Sequence, residues 1–230
     1  MLISVIIPVY NEEKYIRTIL DKVNSVSLNK EIIVVDDSST DKSFGILKQL
    51  EKEYSFKLIK HDKNQGKGAA IRTALKYVTG DIIIIQDADL EYDPNDYYAL
   101  VEPIVTGQSK IVYGSRLLVS NKIPNKIRYI SCYVGTRCLT LLTNILFRSN
   151  ITDINTGYKI FHKSVLENIT LESNGFEFCE EVTVKCLKQH YKIIEVPIHY
   201  YPRSVKEGKK LKFPDALIAL WTIIKYFFFS

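Results

Sequence analysis

The chain contains four cysteines, Cys132, Cys138, Cys179 and Cys186, none of them in a C-x-x-C pair or at zinc-ligand spacing. This excludes a dithiol redox motif and a zinc staple, and the four are expected to be reduced core thiols of a cytosolic protein. A helix that crosses a bilayer needs about 20 apolar residues, and the most apolar stretch, 216–229, is shorter than that. Met1–Pro8 has no basic lead and only a brief apolar run, so it reads as a first strand and not as a secretory signal. No internal repeat or low-complexity tract occurs. The glycine-rich stretch Asn64-Gln65-Gly66-Lys67-Gly68-Ala69-Ala70 matches neither G-x-x-x-x-G-K-[ST] nor G-x-G-x-x-G. It is therefore weak evidence for phosphate binding, and plain turn chemistry explains it equally well. The histidines, His61, His162, His190 and His199, are scattered, and no His–carboxylate dyad stands out.

What is present describes one sizeable domain: 230 residues, 46% of them hydrophobic, enough for an ordinary core. The net charge of +5 is modest, and no nucleic-acid partner is expected. Five basic residues lie between Arg203 and Lys212, against the single acid Glu207. The apolar periodicity predicts strands at about 2–8, 31–36, 56–60, 81–86 and 110–115, alternating with helices at about 12–26, 41–53, 67–78 and 94–106. That order argues for an α/β fold with a doubly wound, mostly parallel sheet and helices on both faces. Beyond residue 120 the pattern changes. A long amphipathic stretch covers 128–147, a β-like segment 156–162, a helix 177–190 and a strand 192–200. A basic loop at 201–213 then leads to an apolar, amphipathic C-terminal helix. The expected division is one domain over 1–213 and a helical tail over 214–230.

The most informative segment is Gln86-Asp87-Ala88-Asp89-Leu90-Glu91. It follows Asp81-Ile82-Ile83-Ile84-Ile85, a β-branched run expected to form a buried parallel strand. Ligands of open α/β sheets bind beyond the carboxyl ends of the strands. Three alternating carboxylates at such an end repel one another unless a cation joins them, and hard cations such as Mg²⁺ or Mn²⁺ take oxygen ligands there. The alternative, an acidic helix start at Asp93-Pro94, accounts for Asp93 alone. Two more acidic strand ends, Tyr10-Asn11-Glu12-Glu13 and Asp36-Asp37, fall at the same expected edge. There a carboxylate can accept hydrogen bonds from a nucleoside. Ser39 and Asp41 read as helix caps.

In order, Pro8-Val9-Tyr10-Asn11-Glu12, Val34-Val35-Asp36-Asp37-Ser38-Ser39, Asn64–Gly68, Asp87-Ala88-Asp89 and Gly114-Ser115-Arg116 resemble family-2 glycosyltransferases of the GT-A fold. Asp153–Lys159 and Arg203–Leu211 narrow the likeness to the dolichyl-phosphate mannosyltransferase-like subgroup, which moves a sugar from a nucleotide onto a polyprenyl phosphate. The resemblance implies metal-dependent, inverting hexose transfer from a GDP-mannose or UDP-glucose type donor. It implies that Pro8, Tyr10, Glu12 and Asp37 hold the nucleoside and that Asp87 lies by the donor sugar and diphosphate. Asp89 and Glu91, with Asp87, would ligate Mg²⁺ or Mn²⁺. Arg116, Arg203 and Lys209 would contact phosphate, and Arg137 the acceptor phosphate. Some relatives carry Gln where this chain has Glu91.

A lipid phosphate acceptor is largely anionic near neutral pH, since its second pKa is about 6, and so needs no strong general base. Trp221, Lys225, Tyr226 and the final phenylalanines suit an interfacial helix behind a basic loop, which predicts a peripheral protein on the cytoplasmic face of a membrane. The bland reading of that segment is a helix packed on the sheet. The rival activity is sugar-to-sugar transfer onto a hydroxyl, with Glu177, Glu180 or Glu181 as the base.

Overall fold

Seven short runs rich in Ile and Val pair into one sheet in the computed structural model, which describes residues 1–118, 127–203 and 213–229. The strands are β1 (Ile3–Val9), β2 (Lys30–Asp36), β3 (Lys57–Lys60), β4 (Ile82–Ile85), β5 (Ile111–Ser115), β6 (Lys159–His162) and β7 (Ile193–Pro197). Their order is β3-β2-β1-β4-β6-β5-β7. All pairings are parallel except those of β6, which runs antiparallel to β4 and β5. The doubly wound expectation holds, and the insertion of β6 is the feature that periodicity did not reveal.

Side chains alternate across the sheet, as the period of two requires. Ile3, Val5, Ile7, Ile32, Val34, Ile82 and Ile84 pack on one face, against α1 (Ile16–Ser25), α2 (Ser43–Leu50) and α4 (Tyr97–Val105). Ile6, Ile33, Val35, Ile83 and Ile85 face the other layer, built from α3 (Lys67–Leu75), the short α6 (Lys163–Glu167) and α7 (Phe178–Lys188). Because both faces are covered, the strands read as nearly continuous apolar runs. A third cluster joins α5 (Ile127–Phe147), α7 and α8 (Phe213–Phe228) through Ile151, Ile154, Val184, Ile223 and Tyr226. None of the described helices is long and apolar enough to cross a membrane.

Topology decides what meets at the carboxyl edge. β1, β2, β4 and β5 all end there. Because β6 is antiparallel, it begins there, which brings residues 153–158 to the same edge. β7 is parallel to β5, so the chain leaving Pro197 also emerges at that edge. The turns that follow β1, β2 and β4 hold Asn11, Ser38 and Leu90, two, two and five residues beyond the strand ends, with φ of 51°, 59° and 60°. Left-handed backbone is uncommon for residues other than glycine, and such strain clusters at functional sites.

Candidate active site

Gln86 anchors the end of β4. Its Oε1 accepts hydrogen bonds from the Tyr97 and Tyr158 hydroxyls, each at 2.7 Å, and its amide nitrogen donates to the Asp87 carbonyl at 2.8 Å. The next side chains face two cations. Asp87 Oδ1 lies 2.5 Å from Lys67 Nζ at the start of α3. Burial opposes the Lys67 ammonium, but Asp87, aided by Asp89, outweighs it and holds the pKa above the ordinary lysine value. Asp89 Oδ2 receives the Arg203 guanidinium at 2.9 Å, and its Oδ1 accepts the Glu91 backbone N–H at 3.1 Å. Burial, then the negative charges of Asp87 and Glu91, push the Asp89 carboxyl up to about 7, while Arg203 pulls it down.

Glu91 faces elsewhere: its carboxylate accepts the Arg203 backbone N–H at 2.8 Å and the Tyr200 hydroxyl at 3.1 Å. Glu12, at the end of β1, shares Arg203 with Asp89 at 2.9 Å. Among the described residues, no three His, Cys, Asp or Glu side chains form a ready-made metal cage. Arg203 and Lys67 already provide positive charge within the acidic edge.

The β2 end is self-contained. Asp37 accepts the backbone N–H groups of Gln65 at 2.9 Å and Gly66 at 2.7 Å, and lies 2.7 Å from His61 Nδ1. His61 Nε2 meets Thr73 Oγ1 at 2.9 Å. So His61 does form a His–carboxylate pair, as does His199 with Asp96 at 2.8 Å. Neither pairing is visible without the fold. Asp37 thereby shapes the glycine-rich turn. The glycines of that turn dock against backbone: a Cβ on Gly68 would stand 2.5 Å from the Ser173 carbonyl oxygen, and Gly66 has φ +98°. Pro8 lies within β1 beside Val35, and Tyr10 and Glu12 follow at the site edge.

On the other flank, Arg116 leaves β5 and is clasped by Asp153. Nε meets Oδ2 at 2.7 Å and Nη2 meets Oδ1 at 2.7 Å. Asp153 is fully buried, and Glu195 accepts both its backbone N–H, at 3.0 Å, and that of Thr152, at 2.7 Å. Thr152 also meets Ser115 Oγ at 2.6 Å and walls a groove of about 350 Å³ in which Arg137 sits among Tyr133, Val134, Leu141 and Ile151. Lys209 lies outside the described residues.

Of the three rival base residues, Glu181 is fully buried and clamps the Glu172 and Ser173 N–H groups, each at 2.8 Å, together with Lys185 at 2.6 Å. Glu177 accepts the Gly175 N–H at 3.0 Å. Glu180 is 1% exposed and bonded to Asn155. Burial pushes its carboxyl up to about 7, although its own backbone N–H and Lys159 pull the other way. A raised carboxyl favours the folded state fully below the unfolded value, near 4.3, and loses that contribution as pH rises through about 7. Glu180→Gln, which fixes the neutral form, therefore flattens the fall in Tm between pH 5 and 8. Parallel melting curves for the two proteins would rule this out.

Asp87, Asp89, Glu91, Glu12 and Arg203 thus converge, Asp37 braces the neighbouring turn, and Arg116 and Arg137 line the opposite flank. Lys67 and Asp153 were not singled out from sequence. Both sit in motifs that carry the family resemblance, Asn64–Gly68 and Asp153–Lys159, but neither motif names the partner: Asp87 for Lys67, and Arg116, 37 positions away, for Asp153.

A family model described as glycosyl transferase family 2 matches residues 4–170. The chain is 30% identical over 211 residues to a dolichol-phosphate mannosyltransferase of Pyrococcus furiosus, covering 91% of this chain and 59% of that protein. It is 34% identical over 215 residues to a UDP-N-acetylglucosamine–dolichyl-phosphate N-acetylglucosaminyltransferase of Methanococcus voltae, covering 86% and 84%. In fold it is similar to glucosyl-3-phosphoglycerate synthase from Mycobacterium tuberculosis, at TM-score 0.75 and 18% identity, covering 100% of this chain and 79% of that one. The chain belongs to glycosyl transferase family 2 and has a fold of GT-A type.

Proposed function

We propose that this enzyme transfers a hexose from a nucleoside-diphosphate sugar to a polyprenyl phosphate at a membrane surface. The observation that carries the reading is an acidic, cation-bearing strand edge beside an apolar groove that holds an arginine. The edge suits a donor diphosphate; the groove suits a phosphate attached to a hydrocarbon chain. Two relatives named for dolichyl-phosphate chemistry support it.

Pro8, Tyr10 and Glu12 line the nucleoside side, with Asp37 shaping its turn. Asp87 and Asp89 fit Mg²⁺ or Mn²⁺, which commonly bind through one or two carboxylates plus substrate phosphates; the Mycobacterium synthase was solved with Mn²⁺ and UDP. When bound, such an ion would neutralise charge on the leaving diphosphate. Lys67 and Arg203, with Lys209, supply further positive charge for the donor. Arg116, oriented by Asp153, and Arg137 receive the acceptor phosphate. That nucleophile is already anionic, and Glu181 and Glu180 are buried in structural contacts, which favours this reading over transfer to a hydroxyl. On α5 and α8, Leu141, Ile145, Leu217, Trp221 and Phe228 are exposed, an apolar surface suited to peripheral association with the cytoplasmic face of a membrane.

The test is a transfer assay with Mn²⁺ or Mg²⁺ and labelled mannose, glucose or N-acetylglucosamine nucleotides, each with and without polyprenyl phosphate. Label that enters the organic phase only when lipid is present supports the reading and names the donor. Turnover without lipid product would favour a hydroxyl acceptor. Within this reading, Arg137→Ala raises KM for the acceptor at least about tenfold, as loss of a charge-assisted hydrogen bond implies, and leaves donor KM nearly unchanged. The reverse pattern would move Arg137 out of the acceptor site.

A further inference from the structure

We propose that Arg203 is the resident counter-cation of the donor edge, presented there by Glu91, and that it gives up Asp89 and Glu12 when a divalent cation binds. The inference rests on the reading of Asp89 as a metal ligand and adds to it what the site holds beforehand. The chain leaving β7 folds back over the carboxyl edge and is fastened at residues 200–203. Tyr200 bridges to Tyr92, the Tyr201 N–H donates to the Glu91 carbonyl at 2.9 Å, and the Glu91 carboxylate takes the Tyr200 hydroxyl and the Arg203 N–H. Glu91 thereby grips the backbone of Arg203. The guanidinium reaches between Glu12 and Asp89, which come from different strands, and lies 5.2 Å from the Tyr15 ring centre.

The charge arrangement makes this a competition. Lys67 already matches Asp87, and among the described residues Arg203 is the cation paired with both Asp89 and Glu12. The Glu91 N–H holds Asp89 Oδ1 and Arg203 holds Oδ2. A divalent ion binding Asp89 therefore meets a guanidinium at the same oxygen, in a buried setting where like charges repel strongly. Arg203 can yield by swinging its side chain alone, since its backbone remains fastened to Glu91. The freed guanidinium then stands beside an incoming diphosphate. On this account Glu91 is a positioning residue acting through Arg203, and not a third metal ligand, and the two roles predict opposite effects.

The experiment is a Mn²⁺ titration of the full chain without donor, following the free-ion signal by electron paramagnetic resonance. R203Q is expected to bind Mn²⁺ about tenfold tighter, within the usual range of coupling between two sites, and E91Q severalfold tighter. Unchanged or weaker binding in R203Q overturns the proposal. Weaker binding in E91Q also overturns it, because it makes Glu91 a ligand. Should R203Q fail to fold, R203K, which keeps the charge and loses the fork across two carboxylates, is expected to shift in the same direction. D89N is the control: if it binds Mn²⁺ like the wild type, the metal reading and this inference both fall. If D89N loses Mn²⁺ and R203Q tightens while no polyprenyl phosphate is glycosylated, this inference stands and the acceptor assignment alone fails.

Discussion

Asp89→Asn reduces sugar transfer at least about 10³-fold, the upper range for losing one preorganised electrostatic contact, and leaves the fold intact. Asparagine preserves the shape and keeps an oxygen to accept the Glu91 N–H, so the turn after β4 retains its hydrogen bond. It removes a charge that is costly where it stands. Burial and the neighbouring carboxylates of Asp87 and Glu91 already push Asp89 up to about 7. Relief of that repulsion offsets the lost pairing with Arg203, so Tm should move little. Initial rates with saturating donor and lipid phosphate, together with a thermal melt, separate the two effects. Transfer within tenfold of wild type would remove Asp89 from the metal site. A collapsed melt would mean that its pairing with Arg203 holds the chain together.

The β-α alternation was legible because buried parallel strands advertise themselves. Ile82–Ile85 is four isoleucines, all fully or almost fully buried, and acidic residues after such a run can only lie at a strand end. The sequence did not indicate direction. Lys159–His162 looks like any short strand, and only the pairing of Ile84 with Ile160 shows that it runs backwards between β4 and β5. That reversal brings Asp153 to Arg116. Likewise, nothing in Arg203 states that it will reach Glu12, 191 positions away. Local motifs fix which chemistry is available; which charge meets which depends on long-range topology, and no spacing rule encodes it. Glu91 illustrates the gap. By alternation it belongs with Asp87 and Asp89, yet the left-handed turn at Leu90 is followed by a carboxylate aimed at the returning chain.

Asp153→Ala has the largest expected effect on stability. Arg116 would lose both hydrogen bonds of its fork to a carboxylate that is fully buried. Removing one partner of such a pair costs about 3–5 kcal/mol, because the other charge is left uncompensated. For a chain of this size that lowers Tm by about 6–20 °C. Asp153 is also one reason the Arg116 guanidinium stays charged: burial opposes the charge, and Asp153 more than restores it. The single variant therefore confounds folding with function. An apolar pair resolves this: Asp153→Leu with Arg116→Met replaces both charges by groups of similar bulk, a change that is often neutral or better for stability. If Arg116 receives the acceptor phosphate, the double variant regains most of the lost Tm while transfer stays at least about 10²-fold down, with the defect concentrated in acceptor KM. Recovery of both stability and transfer would make Arg116–Asp153 a strut of the fold and leave Arg137 as the acceptor-phosphate arginine among the described residues.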